Sequence, residues 1–183
     1  MKILLVDDES IALQTMENII RQSDFKSHTI LTASNTADAW TIIQTENPDI
    51  LFSDIQMPCE NGISLLQKIS ESQLKLLVIF VSGYSEFSYA QAALKYDAFD
   101  YLLKPLNSEV FLSCLKKAIN AIQEQENIKS LVSDISHQLK TPIANLIMYS
   151  GFLKDKSLSM EKHDEYIEII RMSVDRLNFF LKI

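Results

Sequence analysis

Four short motifs between Met1 and Leu106 have the residue types and spacing to handle phosphate. Asp7-Asp8 follow an apolar run, Asp54 ends a second, Ser82 follows a third and Lys104-Pro105 a fourth. Three carboxylates in one place repel strongly unless a cation separates them, and oxygen-only ligands suit the hard, octahedral Mg²⁺. Lys104 offers a mobile point charge for a phosphoryl oxygen and Ser82 a hydroxyl for another. Gathered together, these groups make a magnesium-dependent phosphorylation site. A second candidate lies far down the chain, where Ser136-His137-Gln138-Leu139-Lys140-Thr141-Pro142 offers a histidine able to carry a phosphoryl group. Taken singly, each residue has a plainer use: Asp8 could cap a helix, Pro105 could start one, and a lone histidine in solvent usually does nothing.

The elements needed to gather the first set are legible. Ile3 to Val6 is a continuous apolar run, as expected of a strand buried on both faces. Ser10 to about Ser23 shows helical spacing through Ile11, Leu13, Met16, Ile19 and Ile20. Thr29 to Thr32, Ile50 to Phe52, Leu76 to Val81 and Phe99 to Leu103 read as further strands. Asn35 to about Glu46, Gly62 to Ser70 and Phe87 to Leu94 read as the helices between them, and Ser108 as the N-cap of the next. Strands alternating with helices imply a parallel sheet wound on both faces by right-handed crossovers. In such α/β folds ligands sit at the carboxyl ends of the strands. All four motifs lie there.

Composition narrows the classes. The 183 residues suffice for one full core and a smaller unit. The balance of 47% hydrophobic and 22% charged residues is that of a soluble globular protein. A net charge of -7 argues against a general nucleic-acid binder, since phosphate backbones are held mainly by Lys and Arg. Cys59 and Cys114 are too few and too far apart for a disulfide framework or a metal knuckle, and read as free thiols. The start, Met1-Lys2, four apolar residues and then three acids, is no signal peptide. The longest apolar stretch, Leu76 to Val81, is far short of the ~20 residues that span a bilayer. The expected location is the cytoplasm, with no membrane partner.

After about Ala121 the character changes. Gln123-Glu124-Gln125-Glu126-Asn127 has no apolar residue, Pro or Gly and favours an exposed helix over a flexible linker. Ile128, Val132, Ile135, Leu139, Pro142, Leu146, Tyr149 and Leu153 then recur at steps of four and three, a heptad seam with Pro142 inserted. Pro142 is expected to break the helix, at about 3 kcal/mol. Lys154 to Met160 interrupts the pattern, Ser159 can cap a second helix, and Tyr166, Ile170, Val174, Leu177 and Leu181 repeat within it. Two such helices form a hairpin whose apolar stripe needs a partner, and a second copy would complete a four-helix bundle. His137 lies two residues from both Ile135 and Leu139, so it points away from that stripe.

The segments Leu5-Val6-Asp7-Asp8-Glu9, Asp54-Ile55-Gln56-Met57-Pro58 with Asn61-Gly62, Val81-Ser82-Gly83-Tyr84 and Tyr101-Leu102-Leu103-Lys104-Pro105 resemble a response-regulator receiver domain. The run Ser82 to Leu106 is most similar to receivers that precede AraC-type DNA-binding domains. The resemblance implies a flavodoxin-like, doubly wound five-stranded parallel sheet in the order 2-1-3-4-5 over residues 1–121. It implies Asp54 as phosphoacceptor, Asp8 as a direct Mg²⁺ ligand, Asp7 as holder of metal-bound water, the Gln56 carbonyl as a further ligand, and Ser82 with Tyr101 as a switch pair. Asp97 departs from the Gly common after the fourth helix, and Asp tolerates left-handed backbone better than most residues. Residues 122–183 resemble the dimerisation and phosphoacceptor domain of histidine kinases, which implies His137 as the phosphorylated residue and Thr141 as a helper in dephosphorylating a receiver. Gln138 departs from the acid usual after that histidine, and an amide cannot serve as a general base. No Asn-rich box or Gly-rich ATP lid follows, so the expectation is the front part of a hybrid histidine kinase, or a truncated product of such a gene. Its partners would be itself as a homodimer, a cognate kinase or ATP-binding domain, and another receiver. The alternative is a non-enzymatic response regulator whose hairpin only dimerises. A transcription factor, suggested by the receiver subtype, has the wrong charge and no helix-turn-helix after the receiver.

Overall fold

Lys2–Val6 forms β1, the second strand of a five-stranded sheet in the computed structural model, which describes residues 1–58, 60–72, 74–83, 91, 95–155 and 157–181. The others are β2 (Thr29–Ala33), β3 (Ile50–Asp54), β4 (Leu77–Ser82) and β5 (Asp100–Leu103), all parallel in the order β2-β1-β3-β4-β5. Helices α1 (Ser10–Arg21), α2 (Thr36–Glu46), α3 (Gly62–Glu71), α4 (Ser108–Phe152) and α5 (Met160–Leu181) complete the described elements. The sheet and its order are those expected, although β4 and β5 each begin one residue later than the apolar runs suggest. The expected helix over Phe87–Leu94 lies almost wholly outside the described residues, as do Cys59 and Tyr84.

Two cores follow from the alternation of β1. Ile3 and Leu5 face one side with Met16 and Ile20 of α1 and Phe111 and Leu115 of α4. Leu4 and Val6 face the other with Ala39 and Ile43 of α2 and Leu65, Leu66 and Ile69 of α3. Both faces of the strands are thus covered, which is why they read as continuous apolar runs rather than alternating ones.

Local chemistry sets the helix ends. Asn35 caps α2 by accepting from the N–H of Asp38 at 2.8 Å, and Asn61 caps α3 by accepting from Ser64 at 2.9 Å. Asn107, not Ser108, caps α4: its Oδ1 accepts from Glu109 at 2.9 Å and Val110 at 3.2 Å, leaving Ser108 as the first helical residue. An amide oxygen one residue earlier reaches both free N–H groups. Glu9 precedes α1 and makes no side-chain cap, so Asp8 is not spent on that helix. Asp97 has φ 56°, the left-handed conformation that asparagine and aspartate tolerate.

Cys114 of α4 is buried and its Sγ–H points to Oδ2 of Asp100 at 3.5 Å. Burial, reinforced by the Asp100 carboxylate, pushes the thiol up to about 12 from its ordinary 9.0. The folded value is raised, so this stabilisation is complete below pH 9.0 and is lost as pH climbs toward 12. Urea unfolding measured across that interval should therefore lose less free energy in Cys114→Ala than in the wild type. Equal losses would show that the thiol does not couple to folding.

The chain divides into two compact units, Met1–Ile122 and Gln123–Ile183, with the division inside α4. In the second unit the two helices meet through Tyr149, Phe152 and Tyr166, whose ring centroids lie 5.1–6.0 Å apart. Ser159 caps α5 through the N–H of Lys162 at 3.4 Å. Contrary to the expected break, α4 runs through Pro142. The proline removes the hydrogen bond to the Gln138 carbonyl. Pro142 is itself buried, and it lines one cleft with Ile169, Met172 and Ser173 of α5.

Candidate functional site

The strand register decides which side chains meet. Val6 pairs with Ser53, Asp54 with Val81 and Ser82 with Leu103, so the residues that follow these strands emerge at one edge of the sheet. Asp7 is fully buried there and Asp54 is 6% exposed, while Asp8 is exposed. One carboxylate oxygen from each can be chosen so that all three lie within 4.8 Å of one another.

Lys104 bridges the buried pair. Its Nζ donates to Asp54 Oδ2 at 2.6 Å and lies 2.8 Å from Asp7 Oδ2. The second contact is an ion pair without hydrogen-bond alignment, because Asp7 Oδ2 takes no directed hydrogen bond from any described residue. The other oxygens are held by backbone: Asp7 Oδ1 accepts from Glu9 N–H at 3.0 Å, and Asp54 Oδ1 from Gln56 N–H at 3.1 Å. Burial holds the Asp7 carboxyl above its ordinary value, against the lowering effect of Lys104 and the Glu9 N–H. Burial pulls Lys104 down, but its hydrogen bond to Asp54 and the attraction of the Asp7 carboxylate outweigh that and its pKa is raised. The lysine is charged at any physiological pH.

These residues fit a hard divalent cation. The donors are all oxygen, and a buried carboxylate oxygen of Asp7 lacks a directed donor. With one oxygen of each acid within 4.8 Å of the others, the three are close enough to share one hydrated divalent cation.

Of the other expected residues, Gln56 is exposed two positions past Asp54 in the connection to α3. Ser82 is buried at the end of β4, and its carbonyl accepts the N–H of Lys104 at 2.7 Å. Tyr101 lies back along β5, half-buried against the core face lined by α2 and α3. His137 and Thr141 belong to the second unit. Both are exposed on α4, four residues apart and hence on one face of the helix. Thr141 lines a cleft of about 250 Å³ with Pro142, Asn145, Ile169, Met172 and Arg176.

Gly62 has a role that the motif alone did not disclose. Its N–H donates to the Ile55 carbonyl at 2.9 Å, and a Cβ built on it would collide with the carbonyl oxygen of Asp54 and stand 3.0 Å from Ser53 Oγ. The backbone of α3 thus touches the backbone of the candidate acceptor, and only glycine permits it. Gly62→Ala should destabilise the first unit by about 1–3 kcal/mol, as overpacking does, and should slow phosphorylation as Asp54 is displaced. An unchanged urea midpoint would show that the contact relaxes freely. The one sequence signal was a glycine just after Asn61, at a helix start.

Comparison with known proteins places these features. The response regulator receiver domain family matches residues 3–135, and the His Kinase A (phospho-acceptor) domain family matches residues 127–182. An uncharacterized transcriptional regulatory protein YesN from Bacillus subtilis (strain 168) is 36% identical over 138 residues, 75% of this chain and 38% of that protein. The transcriptional regulatory protein HptR from Staphylococcus aureus (strain NCTC 8325 / PS 47) is 34% identical over 134 residues, 72% of this chain and 52% of that protein. The chain thus spans about half or less of the length of these relatives. Among solved structures, a receiver domain protein from Clostridium thermocellum superposes with a TM-score of 0.61 at 29% identity, covering 68% of this chain and 98% of that one. The acid edge, the sheet order and these matches agree: the chain belongs to the response regulator receiver family, with a His Kinase A phospho-acceptor domain following the receiver.

Proposed function

We propose that this chain carries phosphoryl groups in two-component signalling, on Asp54 of a receiver spanning residues 1–121 and on His137 of a dimeric helical hairpin spanning 122–183, as part of a cytoplasmic hybrid histidine kinase. The observation that carries the reading is the contact of Lys104 with Asp54 at 2.6 Å beside Asp7 and Asp8, in a chain that also matches a phospho-acceptor hairpin.

In this reading an oxygen of Asp54 attacks phosphorus in a donor phosphohistidine or acyl phosphate. A P–O bond forms as the donor's P–N or P–O bond breaks, and the leaving imidazole or carboxylate keeps the electron pair. Asp8, Asp54 and the Gln56 carbonyl would hold Mg²⁺ directly, with Asp7 acting through water. When bound, the cation neutralises charge on the transferring phosphoryl oxygens. Lys104 exchanges its contact with Asp54 for one with a phosphoryl oxygen, Ser82 donates its hydroxyl to another, and Tyr101 responds as the second member of the switch pair. In the hairpin Thr141 stands one turn from His137, positioned to assist removal of phosphate from a docked receiver.

The names of the relatives favour a second reading. There the receiver is the only chemically active part of a response regulator, and the hairpin serves for dimerisation. Histidine phosphorylation separates the two. Transfer from ATP needs a site that holds the triphosphate in line with the imidazole, and the two matched families account for residues 3–182. Residues 1–183 alone should therefore take no label from γ-labelled ATP. Adding an ATP-binding domain from a related kinase should label His137, slowly because Gln138 is not a base, and His137→Ala should abolish it. Labelling of 1–183 without the added domain, or of the Ala variant with it, would contradict the relay.

A further inference from the structure

Away from the acid pocket, a polar cluster joins three elements of the first unit. Glu60 lies in the β3–α3 connection, four residues past Gln56. Its carboxylate accepts from Nζ of Lys68 on α3 at 2.9 and 3.2 Å, and from Oγ1 of Thr36, the first residue of α2, at 3.3 Å. Thr36 is buried, so its hydroxyl is fixed. The hydrogen bonds of Lys68 hold the Glu60 carboxyl below its ordinary value, so the carboxylate keeps its charge near neutrality. Glu60 and Lys68 also line a cleft of about 670 Å³ that reaches Asp8 and includes Trp40 and Pro58.

We infer that Glu60 is a positioning residue for the candidate cation site: the Thr36–Glu60–Lys68 clamp fixes the outer end of the β3–α3 connection, and with it the Gln56 backbone beside Asp54. The inner end of that connection is already fixed, by Gly62 against the Asp54 carbonyl and by Gln56 N–H on Asp54 Oδ1. Pro58 to Glu60 is closed by a backbone hydrogen bond of 2.9 Å. Among the described residues, the Glu60 side chain ties this outer part to Thr36 of α2 and to Lys68 in the body of α3. Were the cluster merely a surface ion pair, it would join two helix-bound residues and leave the connection free. Instead the carboxylate that takes both donors sits on the connection itself.

The inference rests on the receiver reading, and charge separates the alternatives. Lys68→Met removes a cation from the cleft that reaches Asp8. A purely electrostatic influence would then tighten Mg²⁺ binding, whereas loss of the clamp weakens it. Thr36→Val breaks one arm with no change of charge. Trp40 is the chain's one tryptophan and lines the same cleft, so its fluorescence can follow a Mg²⁺ titration of the full chain; calorimetry provides the same constant if the signal is flat. We expect Lys68→Met and Thr36→Val each to weaken Mg²⁺ about two- to fivefold, the scale of an exposed pair. Thermal midpoints measured without Mg²⁺ set any loss of stability apart. The charge-swapped pair Glu60→Lys with Lys68→Glu should recover most of the wild-type affinity. Unchanged or tighter binding in Lys68→Met, or no recovery in the swap, would overturn the clamp. A wild-type chain that binds no Mg²⁺ would instead overturn the receiver reading beneath it.

Discussion

Asp54→Asn should abolish phosphorylation of this chain by acetyl phosphate and Mg²⁺, while the wild type takes up one acid-stable, base-labile phosphoryl group. The substitution keeps the shape of the side chain and removes the nucleophile. It also takes a full charge from a site where Lys104 is held between Asp54 and Asp7 at 2.6 and 2.8 Å. Asp7 is fully buried with Oδ2 already against that ammonium, and Asp8 is exposed, so neither stands where the Asp54 oxygen does. Asp8→Ala should leave Asp54 intact and weaken Mg²⁺ by about tenfold or more, on the scale of a disturbed metal shell. Both effects are read by phosphate incorporation and metal titration. Undiminished labelling of the Asn variant would move the acceptor elsewhere.

Much of this site was legible before any coordinates, for a physical reason. A parallel sheet buried on both faces writes its strands as apolar runs, and the residue after each run must lie at the edge where ligands bind. Asp7, Asp54, Ser82 and Lys104 could be placed by that rule alone, and the register bears it out. Contacts set by backbone approach or by loop side chains were not legible. Gly62 reads as the first residue of a helix until its clash with the Asp54 carbonyl is seen. Glu60, Thr36 and Lys68 are ordinary surface residues in sequence, and only the packing of α2 beside α3 brings them together. The cap of α4 went to Asn107 rather than Ser108 because two neighbouring residues could each serve. Pro142 reads as a break on local propensity alone, yet α4 continues through it, with the proline buried where the two helices of the hairpin line one cleft.

The second large effect is on assembly. The hairpin leaves Ile128, Leu131 and Val132 of α4 at 57–62% exposure, with Ile147 at 70% and Met172 of α5 at 65%. Covering apolar surface is favourable by about 25 cal/mol per Å², and this gain works against the cost of association. In the proposed homodimer a second hairpin would supply the matching stripe and complete four helices. The full chain should sediment as a homodimer at tens of micromolar, and a chain ending near Ala121 should be largely monomeric. Replacing Ile128 and Val132 by Glu should shift the full chain toward monomer without changing phosphorylation of Asp54. A full chain that stays monomeric at that concentration would refute the bundle.

The central claim is that Asp54 itself becomes an acyl phosphate. Borohydride reduces such a group to an alcohol with release of phosphate, which turns the phosphorylated aspartate into homoserine and marks its position permanently. After treatment with acetyl phosphate and Mg²⁺, peptide mass spectrometry should find homoserine at position 54 and at neither Asp7 nor Asp8. Homoserine at another carboxylate, or none anywhere in a chain that has taken up phosphate, would contradict the account.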